Sequence, residues 1–120
     1  MLGIIGAMDE EVAMIKAQLT DVQVETRAAM DFYKGKLEGK EVVVVRSGIG
    51  KVNAAMCTQI LADIYGVTGV VNTGIAGSLK AEIDIGDIVL SSDAVQHDMD
   101  ATGFGYEPGQ IPRVETLAFK

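Results

Sequence analysis

Residues 41–54 read EVVVVRSGIGKVNA. Four consecutive valines closed by Arg46 are apolar on both faces, the composition of a strand buried inside a sheet. Gly48, Ile49 and Gly50 then open a helix that runs to about Tyr65 and stops at Gly66. A buried strand handing over to a helix through glycines is the repeating step of an α/β fold. Two further runs share this doubly apolar character, at 70–73 and 88–90. With 42–46 they are expected to be central strands.

Upstream, LGIIGA at 2–7 is a short apolar run ending in glycine, as a buried strand would be. Residues 9–19 carry helical spacing. At about 100° per residue, Met8, Val12, Ile15 and Leu19 fall within one arc, with Glu11 at its edge beside Ile15. Stretches 22–28 and 32–37 read as two further strands, with turn chemistry at Leu37-Glu38-Gly39-Lys40. From 94 to 112 the chain is polar and glycine-rich without a clear period. The order of elements predicts an α/β fold with a mostly parallel twisted sheet flanked by helices. The 120 residues suit one domain, 1–120, yet the last third is short of helix to cover a sheet. The domain is therefore expected to be incomplete, with a further helix beginning about Lys120.

Charge narrows the function. Ten Lys and Arg against 17 Asp and Glu give a net charge of −7. That balance argues against nucleic acid and anionic membrane surfaces as partners. No apolar run approaches the ~20 residues that span a bilayer. No leader is visible at Met1-Leu2-Gly3, and one cysteine, Cys57, cannot close an internal disulfide. A cytoplasmic location is the expectation. Cys57 sits mid-helix without a nearby activating cation and reads as a small buried hydrophobe.

Four segments could carry chemistry. GIIGAMDEEV at 3–12 puts acids at the carboxyl end of a strand, where open α/β sheets bind ligands. Glu11 is the acid placed to leave solvent and act as a base; the plain alternative is that all three acids complement the helix dipole. In SGIGKVNA at 47–54, Gly48 and Gly50 begin a dinucleotide-type fingerprint that Asn53 leaves unfinished. Helix-start N–H groups there could receive a ligand oxygen, or the glycines could serve turn geometry alone. VVNTGIAGSL at 70–79 offers backbone on which a flat base could lie, or again a tight turn. In QHDMDATGFGYEPGQIP at 96–112, the lone His97 with Asp98 and Asp100 makes a poor metal site. Phe104, Tyr106 and Ile111 there suggest an interface or a lid.

In this order and spacing, GIIGAMDEEV, SGIGKVNAA, NTGIAGSL and HDMDATGFGYEPGQIP resemble the amino-terminal half of bacterial 5′-methylthioadenosine/S-adenosylhomocysteine nucleosidases, members of the nucleoside phosphorylase superfamily. The resemblance runs from Gly3 to Lys120. It implies the amino-terminal part of a mixed, mostly parallel nucleoside-phosphorylase-like sheet. It also implies hydrolysis of the N-glycosidic bond of methylthioadenosine and S-adenosylhomocysteine, releasing adenine in methionine salvage, with neither metal nor organic cofactor. Glu11 matches the glutamate that activates water. Met8 and Ile49 match residues on the ribose and thioalkyl side; Ala76 and Gly77, with Ile75 before them, match the purine's backbone neighbours. Ala101, Phe104 and Pro112 match positions that a homodimer partner contributes to the thioalkyl pocket. Two residues depart from the pattern: Ile75 stands where serine is common, and Ala101 where valine is common.

Cleaving a ribosyl C–N bond passes through an oxocarbenium-like state, so leaving-group protonation and a placed water do the work. In the family, the acid at adenine N7 and the carboxylate on the ribose come from the carboxyl-terminal half. The chain alone is therefore expected to turn over slowly. Two other readings compete: a phosphate-using purine nucleoside phosphorylase relative, for which Arg27, Arg46 and Arg113 are the arginines, and a non-catalytic nucleoside-binding or assembly module.

Overall fold

Strand β1 (Leu2–Gly6) lies inside a five-stranded sheet and hands over to helix α1 (Asp9–Ala17). Strands β2 (Thr20–Arg27), β3 (Met30–Leu37) and β4 (Lys40–Arg46) follow, then helix α2 (Lys51–Asp63) and strand β5 (Gly69–Asn72). The sheet order is β2-β3-β4-β1-β5. The structure, a computed structural model, describes residues 1–119. It divides into two compact units, Met1–Gly77 and a second beginning at Ser78. The helix expected to start about Lys120 lies outside the described residues.

The first unit is the α/β layer that the valine run predicts. Pleating sends Val42 and Val44 to one face of the sheet and Val43 and Val45 to the other, and all four are buried. On the first face α1 contributes Val12, fully buried, with Ile15 and Leu19 packed beside it. This is the arc foreseen from the spacing of residues 8–19. On the second face α2 contributes Cys57 and Leu61, and Phe32 of β3 stacks on Tyr65 with ring centroids 5.2 Å apart. Each valine pair thus has its own helix to cover it.

Two expectations about the sheet are corrected. It is mixed but not mostly parallel. β1 pairs in parallel with β4 and β5, whereas β2 with β3 and β3 with β4 are antiparallel and form the longer ladders. The cause lies in two-residue connections. Ala28 and Ala29 have φ of 49° and 61°, and Glu38 and Gly39 have φ of 49° and 79°. Two successive residues in the left-handed region make the tight turn that joins antiparallel strands.

The second correction concerns the central strands. Of the three expected, only 42–46 is central. The run at 70–73 forms β5, but at the sheet's edge, with Val70 41% and Val71 49% exposed. The run at 88–90 is in no strand, and its Ile88 and Leu90 stand about nine-tenths exposed. An apolar run becomes a central strand only where two neighbours take its backbone groups and both faces find cover. Residues 88–90 have neither among the described residues.

The second unit is built from turns. It contains a short 3₁₀ segment (Thr102–Phe104) and one bridge, Ala94 to Phe119, closed by hydrogen bonds of 2.9 Å in both directions. Among the described residues no helix is long and apolar enough to cross a membrane.

Candidate active site

Strands β4, β1 and β5 run parallel, so their carboxyl ends stand side by side. The ladder continues past the strands: Ser47 N–H donates to the Gly6 carbonyl at 2.9 Å, and Thr73 N–H to the Ile5 carbonyl at 2.8 Å. α1 leaves β1 over one face, whereas α2 leaves β4 over the other. Adjacent parallel strands whose helices depart in opposite directions open a crevice at their carboxyl ends, where such sheets bind ligands.

Glu11 stands in this crevice, half-buried in the first turn of α1. A helix start leaves backbone N–H groups without intrahelical partners. Here Ala7 and Met8 donate theirs to Glu11 Oε2, at 2.7 and 3.0 Å. One oxygen of the carboxylate is thereby fixed. The other, Oε1, faces Gly74 just beyond β5. Behind it lies Gly6, where a side chain would meet Val12 Cγ1 at 2.7 Å and Glu11 Cβ at 3.0 Å.

On the β4 side, Gly48 and Gly50 have φ of 84° and 100°, values that require glycine, and they carry Ile49 outward, 75% exposed. Asn53, at the position of the missing fingerprint glycine, donates its side-chain N–H to the Ile49 carbonyl at 2.8 Å and pins the turn. On the β5 side, Ile75, Ala76 and Gly77 are exposed, and nothing lies within 4 Å of where a side chain at Gly77 would begin. Met8 is half-buried between the two sides. The topology therefore gathers Met8, Glu11, Ile49, Ile75, Ala76 and Gly77 at one end of the sheet.

The remaining three expected residues belong to the second unit. Ala101 is buried there and its carbonyl accepts the Phe104 N–H at 2.9 Å; Phe104 is 87% exposed and Pro112 is exposed. Asp100 accepts hydrogen bonds from the Thr102 hydroxyl at 2.7 Å and from its N–H at 3.0 Å, which hold its carboxyl below the usual carboxylate range. Among the described residues no three His, Cys, Asp or Glu side chains gather closely enough to hold a metal ion.

Sequence reasoning missed two features. Arg46, at the end of β4, is held by Asp9 at 3.3 Å, and Asp9 also lies 3.9 Å from Lys16. Acids in the first turn of α1 gave the signal for this pair, since the register places Arg46 opposite Gly6. The approach of Gly74 to Glu11 joins segments far apart in sequence and left no local signal.

An α/β sheet covered by a helix on each face, with a carboxylate at its switch point, defines a ligand-binding α/β class, and the comparisons narrow it. The model of the phosphorylase superfamily matches residues 1–119, and the chain belongs to that superfamily. Within it the chain is similar to 5′-methylthioadenosine/S-adenosylhomocysteine nucleosidases. It is 52% identical to that of Marinomonas sp. over 114 residues, covering 95% of this chain and 49% of the relative. With the Staphylococcus haemolyticus nucleosidase it shares 51% over 120 residues, covering 100% of this chain and 52% of the relative. The crystal structure of the Colwellia psychrerythraea nucleosidase in complex with adenine superposes with a TM-score of 0.95 at 52% identity, covering 98% of this chain and 48% of that one. The chain spans about half the length of the curated relatives it matches.

Proposed function

We propose that this chain furnishes the water-activating half of a nucleosidase that hydrolyses 5′-methylthioadenosine and S-adenosylhomocysteine to adenine and a thio-ribose. The observation that carries the reading is the Glu11 carboxylate at the crevice, one oxygen held by the Ala7 and Met8 N–H groups. A carboxylate oriented by backbone donors can hold a water and take its proton as the water oxygen bonds to the ribosyl carbon. The electron pair of the breaking C–N bond leaves with adenine. Protonation of that leaving group, and orientation of the ribose hydroxyls, fall to residues of the relatives' other half.

In this reading Met8 and Ile49 face the ribose and thioalkyl group. Ile75, Ala76 and Gly77 lie along the purine, whose flat face the empty space at Gly77 suits. A second copy of the chain supplies Ala101, Phe104 and Pro112 in a homodimer, and the reaction belongs to the cytoplasm and needs no metal or organic cofactor. The pairing of Arg46 with Asp9 disfavours the phosphorylase alternative, because the cation at the end of β4 is already engaged by a carboxylate.

The test is adenine release from methylthioadenosine with and without inorganic phosphate, alongside a full-length relative. The expected rate is independent of phosphate and about 10²–10⁴-fold below the full-length enzyme, the usual cost of a missing general acid. Phosphate-dependent release would instead support the phosphorylase reading, and binding without release the non-catalytic one.

A further inference from the structure

We propose that Gly74 is a positioning residue for Glu11: the space left by its missing side chain is where the Glu11 carboxylate rests. The inference deepens the nucleosidase reading and rests on it for its consequence, though not for its geometry. A glycine in a loop after a strand is ordinarily explained by backbone conformation. That explanation fails here. Gly74 is not among the glycines with φ in the left-handed region, unlike Gly48 and Gly50. An alanine could adopt the same backbone.

What glycine leaves free is room. A Cβ on Gly74 would lie 2.6 Å from Glu11 Oε1, 3.0 Å from Cδ and 3.4 Å from Oε2, and its three nearest neighbours are all atoms of this one carboxylate. Gly6 also borders Glu11, but a side chain there would strike Val12 first, so that glycine serves core packing as well. At Gly74 the three atoms a Cβ would meet first all belong to the carboxylate. Glu11 is thus tethered at Oε2 by two N–H groups and bounded at Oε1 by the backbone beyond β5. A methyl group at 74 pushes Oε1 away, and because the two oxygens are rigidly joined, Oε2 leaves its donors.

Gly77 provides a matched control. It lies in the same loop, it too is outside the left-handed region, and no atom stands within 4 Å of its would-be Cβ. The experiment is amide hydrogen exchange read by nuclear magnetic resonance on the isotopically labelled 120-residue chain and its Gly74→Ala, Gly77→Ala and Glu11→Ala variants. The amide protons of Ala7 and Met8 are the reporters. In the unsubstituted chain and in Gly77→Ala both amides are protected from exchange, because both donate to Glu11 Oε2. In Glu11→Ala that protection is lost. Gly74→Ala is expected to fold normally and to lose the protection at both amides.

Three results would overturn the proposal: unchanged protection of the Ala7 and Met8 amides in Gly74→Ala, equal loss in Gly77→Ala, or collapse of the whole amide spectrum in Gly74→Ala. The last would place the cost in the fold and not in one side chain. No nucleoside enters the measurement, so a failed nucleosidase reading shows separately, in the adenine-release assay.

Discussion

Glu11 closes the start of α1 and, in the proposed function, also activates water, and substitutions can separate the observed role from the proposed one. As the third residue of α1 it satisfies the Ala7 and Met8 N–H groups. Glu11→Ala should cost about 1 kcal/mol of stability, the usual worth of a helix-start acceptor, whereas Glu11→Gln retains an acceptor oxygen and should cost less. Urea unfolding midpoints check this; equal midpoints for the two variants would contradict it. Cys57 makes a second prediction. Burial pushes its thiol up from an ordinary 9.0 to about 11. The folded state disfavours the thiolate, so the unfolded chain loses its proton first as pH rises. Its contribution to stability is whole below pH 9.0 and fades between there and about 11. A Cys57→Ala variant should show a flatter loss of stability through that window, read from thermal unfolding against pH. Both residues were legible in the sequence, Glu11 from its place at the edge of an apolar arc and Cys57 from its helical surround. The role of Gly74 was not, because it depends on which strand ends meet.

The elements divide between those fixed by local pattern and those fixed by neighbours. β4 was readable because four valines allow no polar face, and α1 because its apolar residues recur at helical spacing. Residues 88–90 show the limit: the same composition makes no strand where, among the described residues, no neighbouring strand pairs with it. The two hairpins were foreseen as strands but not as the cause of antiparallel pairing, since Ala28-Ala29 carries none of the residues that favour left-handed backbone. That pair is consequently strained. Replacing Ala28-Ala29 by Asn-Gly should raise stability by about 1 kcal/mol, as alanine in the left-handed region costs that much or more. An unchanged denaturation midpoint would contradict the assignment. At the contact of β1 with α2, a Cβ on Gly3 would come within 2.8 Å of Leu61 Cδ1. Leu61→Ala should cost about 2–5 kcal/mol, and adding Gly3→Ala should recover part of that loss by filling the space. A double variant as unstable as the sum of the two single ones would show that the two positions do not share that space.

At the scale of the molecule, apolar surface remains uncovered at the β5 edge, at Val70 and Val71, and in the second unit at Ile85, Ile88 and Leu90. Such edges and patches recruit partners. The chain should therefore associate at tens of micromolar in light scattering, and a monodisperse monomer would speak against it. The proposed function requires the crevice at the carboxyl ends of β4, β1 and β5 to take an adenine thionucleoside beside Glu11. Amide chemical-shift mapping on titration with 5′-methylthioadenosine tests this. Perturbations are expected to concentrate at Met8, Glu11, Ile49 and Ile75 to Gly77, with the β2–β3 hairpin unmoved. Perturbations confined to the hairpin, or none at saturating nucleoside, would contradict it.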